Sequence, residues 1–171
     1  MTRYIQKIKV PVRVSRAGEA PLDGHFFLSP DTPVHPGPQT ILERLNARDR
    51  VIPFARAGDG EILLLCCESL QWVAPGEKLD SSLLCPPTWF VTREERVRLR
   101  FIDGGEVEGL LRIELPAEHT RASDFLNSPE DFFPLVTSGG ILLVNKRRVL
   151  DVLVHESSPA LVAVADSSGD G

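Results

Sequence analysis

Apolar residues occupy alternate positions at Ile8, Val10, Val12 and Val14, the period of a strand with one buried face. Pro11 has no N–H to offer a ladder, which predicts a sheet edge for this strand or for that side of it. Leu22 to Leu28 reads as a second strand, and the proline-rich run from Ser29 to Pro38 reads as a loop. From Thr40, the residues Ile41, Leu42 and Leu45 share one helical face, which predicts a helix of about two turns. Val51 to Phe54 and Glu61 to Cys66 then form strands about the turn Gly58-Asp59-Gly60, and Ser69 to Val73 forms the last.

The same order recurs further along. Arg93 to Ile102 and Glu106 to Leu115 flank Asp103-Gly104-Gly105, Ser123 to Asn127 matches the helix, and Phe132 to Val136 follows as a strand. Ile141 to Val144 and Val149 to Val154 read as a closing hairpin around Asn145-Lys146-Arg147-Arg148. Individual residues repeat as well. Val12-Arg13-Val14, Gly24, Leu45-Asn46, Pro53 and Ile62-Leu63-Leu64 reappear as Val97-Arg98-Leu99, Gly109, Leu126-Asn127, Pro134 and Ile141-Leu142-Leu143, displaced by about 80 residues.

An internal duplication follows. The expected architecture is mainly β, a β-rich α+β fold of two tandem small five-stranded barrels or rolls, each with one short helix, related by a pseudo-two-fold. The first module spans 1–74, a linker 75–90, the second module 91–156 and a tail 157–171. Leu83, Leu84 and Trp89 make the linker apolar enough to pack between the modules, and Leu161 to Ala165 either fray or dock as an added strand. Modules of about 70 residues lie near the lower limit of self-sufficient cores, so an apolar interface between them is expected. Val51, Ile52 and Phe54, and likewise Phe132, Phe133 and Leu135, put apolar groups on both faces of a short strand. They are the candidate inter-module or oligomer contact.

The run Val97-x-Leu99, Gly104, Val107-x-Gly109-x-Leu111, followed by Ile141 and Val149 to Val154, resembles the small barrels of the Sm-like and SH3-like families. That resemblance implies five strongly bent strands with a glycine where the second strand curls, and Gly24 and Gly109 stand at that place. Asp124-Phe125-Leu126-Asn127 resembles the element with which Sm-like proteins read an RNA base, although Lys146 is followed by Arg147 where the second Sm motif has glycine. Ser123 to Asn127 together with Val144-Asn145-Lys146 also resembles a pattern of small bacterial proteins, which implies a bacterial cytosolic setting.

Composition narrows the function. With 42% apolar and 25% charged residues the chain has a globular balance, and its net charge of -5 gives no global attraction to nucleic acid or anionic lipid. No stretch has the length of a membrane span, and the N-terminus lacks the apolar core of a signal peptide, so the cytoplasm is the expected location. Cys66 and Cys67 sit in an apolar run that suits buried thiols. The four histidines have no metal-ligand spacing, no G-x-S-x-G occurs, and the glycine turns lack the lysine and serine of a phosphate loop. No catalytic residue, metal or cofactor is expected.

Two basic features remain. Arg96, Arg98 and Arg100 line one face of a strand, either as a docking stripe or as a ladder with Glu106, Glu108 and Glu114. Lys146, Arg147 and Arg148 form a second basic knot, either touching RNA phosphate or an acidic partner or standing solvated at a hairpin tip. No tyrosine or tryptophan lies beside either to stack a base. The preferred reading is a non-catalytic protein–protein interaction or assembly module, compatible with a homo-oligomer and without a membrane. The alternatives are an Sm-like RNA-binding protein and an enzyme with its site between the modules.

Overall fold

A computed structural model of the chain describes residues 6–86, 93–114 and 121–155. The end of the linker, the residues around Pro116 and the tail strand expected at Leu161 to Ala165 lie outside the described residues. The protein is mainly β. Strands β1 (Ile8–Arg16), β2 (Leu22–Leu28), β3 (Val51–Arg56), β4 (Ile62–Cys66) and β5 (Leu70–Pro75) are followed by β6 (Arg93–Phe101), β7 (Glu106–Ile113), β8 (Phe132–Thr137), β9 (Gly140–Asn145) and β10 (Val149–Val154). Helix α1 (Ile41–Asn46) precedes β3, and α2 (Ala122–Leu126) precedes β8.

All ten strands join one antiparallel sheet in the order β10-β6-β7-β8-β9-β5-β1-β2-β3-β4. In each half the last strand lies beside the first, and the halves meet where β5 runs along β9. Pro11 is accommodated inside the sheet, since β1 pairs with both β2 and β5. The β5 ladder reaches only Val12, opposite Pro75, so the proline nitrogen faces the point where β5 ends. The strand is therefore interior, and on that side the Pro11 carbonyl still accepts from the Gly76 N–H at 3.0 Å.

The hairpin expected between β9 and β10 does not form. A single 3-10 turn, Lys146–Arg148, redirects the chain so that β9 pairs with β8 and β5 while β10 pairs with β6. The turn Cys67–Ser69 does the same between β4 and β5.

Local sequence explains α1. Thr40 is its N-cap: its hydroxyl oxygen accepts from the Glu43 N–H at 3.3 Å, while Glu43 Oε1 accepts from the Thr40 N–H at 3.0 Å. Ile41 and Leu45 are its buried face. Packing divides into two apolar clusters, one around Phe26, Phe54 and Leu70 and one around Leu99, Leu111 and Leu135. The linker belongs to the first, where Leu84 is buried and its carbonyl accepts from the Leu42 N–H at 3.0 Å.

Gly24 and Gly109 permit β2 and β7 to cross close over the next strand. A Cβ on Gly24 would lie 2.3 Å from Phe54 Cζ and 2.4 Å from the Ala55 carbonyl oxygen; one on Gly109 would lie 2.7 Å from Leu135 Cγ and 2.6 Å from the Val136 oxygen. A backbone oxygen cannot move aside. Gly24→Ala and Gly109→Ala should therefore each cost about 1–3 kcal/mol in urea unfolding. Gly139→Ala, where the nearest atom is 3.9 Å away, should stay within about 0.5 kcal/mol of the parent.

Candidate functional site

The arginine stripe lies where expected, on the outward side of β6 between buried Val97, Leu99 and Phe101. Its ladder is only partly the one expected. Arg98 faces Glu108 and bridges it at 2.7 Å, which raises the arginine pKa and lowers that of the carboxyl. Arg100 stands opposite Glu106 but bonds Asp151 of β10, whose carboxyl is held below its ordinary range by that hydrogen bond. Glu114 takes no part, and burial raises its pKa. Arg96 faces Leu110 and has no ion-pair partner among the described residues. Asp151 escaped the sequence reading because β10 had been matched to β9, which leaves no reason to place it beside β6.

The basic knot is not a free patch, although Arg147 stays exposed to solvent. Lys146 Nζ donates to the carbonyls of Phe125 (3.4 Å) and Ser128 (3.0 Å) and to the Ser128 hydroxyl (2.8 Å), which satisfies backbone oxygens at the end of α2. Desolvation there pushes the lysine pKa down. Arg147 reaches Asp131 at 3.2 Å and, across the joint, Glu68 at 3.4 Å. The Arg148 carbonyl accepts from the Ile102 N–H at 2.9 Å.

Of the six apolar candidates, Ile52 and Phe54 fill the first cluster, and Phe133 and Leu135 the second. Phe132 alone crosses. It starts β8 in the second half yet is buried in the first cluster, while Trp72 of β5 packs against the second. Val51 stays exposed. Two asparagines complete the joint. Asn46 at the end of α1 donates to the Phe132 carbonyl at 3.1 Å and accepts from its N–H at 2.9 Å. Asn145, almost fully buried, donates to the carbonyls of Leu70 (2.8 Å) and Cys67 (3.2 Å) and accepts from the Arg147 N–H at 3.0 Å. The repetition of Leu45-Asn46 at Leu126-Asn127 is the visible signal for Asn46; Asn145 stands out only within the Val144-Asn145-Lys146 pattern, and nothing marks Trp72.

Two clefts flank this joint. One is lined by Asp49, Arg50, Cys66, Glu68, Asn145 and Arg147, the other, more apolar, by Leu42, Cys85, Phe125, Pro134 and Ile141. Cys66 is exposed, contrary to the expected buried thiol, because it alternates with buried Leu65 and so lies on the outward face of β4 with Ile62 and Leu64. Cys67 is half-buried, and that burial raises its thiol pKa. Beside the second cleft, the proline loop is tied to α1 by His35 Nε2 and Glu43 Oε1, 2.6 Å apart. No described helix is long and apolar enough to cross a membrane, and among the described residues no three His, Cys, Asp or Glu side chains converge as a metal site.

No family model, curated protein or solved structure matches the chain. The site therefore has to be interpreted from its own geometry.

Two outcomes test that geometry. Asn145→Leu withdraws the buried amide donor from the Leu70 carbonyl, while the Cys67 carbonyl keeps the Leu70 N–H, and should lower stability by about 1–3 kcal/mol in urea unfolding. The Glu43 hydrogen bond raises the His35 pKa from 6.5; burial would raise that of Glu43, but the bonds from His35 and Thr40 outweigh it and lower it from 4.5. Stability from the raised histidine is complete below 6.5 and is lost as pH rises through its folded value, whereas that from the lowered carboxyl is present above 4.5 and is lost in acid. An NMR titration should place His35 above 6.5, and Glu43→Gln should bring it back down.

Proposed function

We propose that the chain is a non-catalytic assembly module of the cytosol: a duplicated pair of small Sm-like or SH3-like barrels or rolls that binds a protein partner through its sheet edges. The observation that carries this is a pair of sheet edges that no strand covers among the described residues. Strand β4 ends the sheet on one side and β10 on the other, with Ile62 and Leu64 exposed on the first and Leu150, Leu153 and Val154 on the second. An unpaired edge with apolar side chains is a template for a further strand.

Duplication is supported by contacts that recur at matching positions. Gly24 meets Phe54 and Ala55 as Gly109 meets Leu135 and Val136. The Cys67 N–H donates to the Arg50 carbonyl at 2.9 Å as that of Lys146 does to Asp131 at 2.8 Å. Four of the six basic groups that an RNA reading needs are engaged instead, with Arg98, Arg100 and Arg147 in ion pairs and Lys146 on α2.

Affinity capture of the full chain from its native cell, with and without nuclease, tests this reading. Protein should remain bound after nuclease and be lost with Leu64→Lys. Capture abolished by nuclease would transfer the function to RNA, and no enrichment would remove the proposal.

A further inference from the structure

We propose that the segment after β10, residues 156–165, docks against α2 of the same copy, as the linker after β5 docks against α1. The inference stands apart from the edge reading above and leaves the β10 edge uncovered. It starts from a contact that both halves make. The Gly76 N–H donates to the Pro11 carbonyl at 3.0 Å where the chain leaves β5, and the His155 N–H donates to the Arg96 carbonyl at 3.0 Å where it leaves β10. Pro11 and Arg96 each stand just before the repeated runs Val12-Arg13-Val14 and Val97-Arg98-Leu99, so the two exits match.

The first half shows the course from there. Ser81–Leu83 form a single 3-10 turn, Leu84 enters the first cluster at 4% exposure, and its carbonyl accepts from the Leu42 N–H in the first turn of α1 at 3.0 Å. Leu83 and Cys85 pack against the same cluster. Leu84 lies eight residues beyond Gly76, and eight beyond His155 stands Ala163, between Val162 and Val164. The apolar run of the second segment thus falls at the chain distance where the first is buried. Its turn is compatible as well. Asp80, the N-cap of the 3-10 turn, has φ -63°, the angle to which proline is locked, and Pro159 holds the matching position. The turn's backbone bonds run from the Leu79, Leu83 and Leu84 N–H groups and use none from Asp80, so a proline there loses nothing.

Helix α2 offers the receiving surface. Ile41 and Leu45 of α1 are 0% and 3% exposed; on α2 Ala122 is buried, but Leu126, in the place of Leu45, is only partly buried, as is Phe125 beside it. Ser123 holds the place of Leu42, and its N–H donates to no described residue. An apolar helix face beside a first-turn amide is what Leu84 meets on α1. Ala122 and Ala163 stand for Ile41 and Leu84, so the second dock buries less apolar area and is the weaker of the two.

Amide and methyl NMR of the full chain tests this. The Val162 and Val164 methyls should contact Phe125 or Leu126, and the Ser123 amide should be protected from hydrogen exchange. Val162→Asp should abolish the contacts and return Ser123 to the exchange rate of an open amide. Ala163→Leu, which restores the side chain of the linker, should instead slow that exchange about tenfold. Rapid exchange without contacts across residues 161–165 would overturn the proposal, as would a Ser123 amide indifferent to Val162→Asp. Contacts to Leu150 and Leu153 would also overturn it and would close the β10 edge, leaving the β4 edge for the partner reading. Contacts seen only between differently labelled copies would place the segment on another molecule and rule out docking within one chain.

Discussion

A strand between two others must pair its N–H and C=O groups on both sides, and the contact of β5 with β9 is where this chain meets that demand between its halves. The direct ladder is short, with Trp72 opposite Val144 and Val73 opposite Leu143. Side chains extend it. Phe132 crosses into the first cluster, Trp72 lies against the second, and Asn46 and Asn145 occupy backbone groups that the turns and strand ends would otherwise leave open. Cores of this size gain most from such exchange, since a small domain buries a smaller fraction of its chain. The joint is a continuation of both cores and not a contact between finished surfaces.

Both 3-10 turns follow from the same demand. A tight hairpin between β9 and β10 would use up one side of β9 and leave nothing for β5. The turn Lys146–Arg148 sends β10 across to β6 instead, and the price is a set of carbonyls at the turns and at the end of α2 that no strand can reach. Asn145 and Lys146 answer it. One closes on Leu70 and Cys67, the other on Phe125 and Ser128. Lys146 therefore serves the fold with the charge that in sequence looked available to a partner.

What was legible in the sequence was whatever depends on near neighbours. The alternation of Val10, Val12 and Val14, the capping pair Thr40 and Glu43, and glycines standing alone inside strands all state a local requirement, and the structure meets each of them. Strand partners were less legible. Val149, Leu150, Val152, Leu153 and Val154 declare a strand whichever neighbour it takes, so the hairpin with β9 was as consistent with the pattern as the pairing with β6. From that error followed the missed bond between Arg100 and Asp151 and the misjudged solvation of Lys146. Cys66 failed for a related reason. An apolar run does not say which of its residues face the core, and Cys66 falls on the face opposite buried Leu65.

The divergence of the two halves gains a physical role at the joint. Glu68 stands in the first half where Arg147 stands in the second, and Arg50 where Asp131 stands, so the charges of the matching turns are inverted. Joining two first halves would bring Glu68 against Glu68, and joining two second halves Arg147 against Arg147. Only unlike halves present opposite charges, which is the arrangement found within the chain. Repulsion between like halves disfavours the wrong order, by the small amount that charges this exposed supply, and it leaves the apolar strands free to stay similar. Two halves opposite in charge where they touch favour the pairing of β5 with β9 that like-charged halves would oppose.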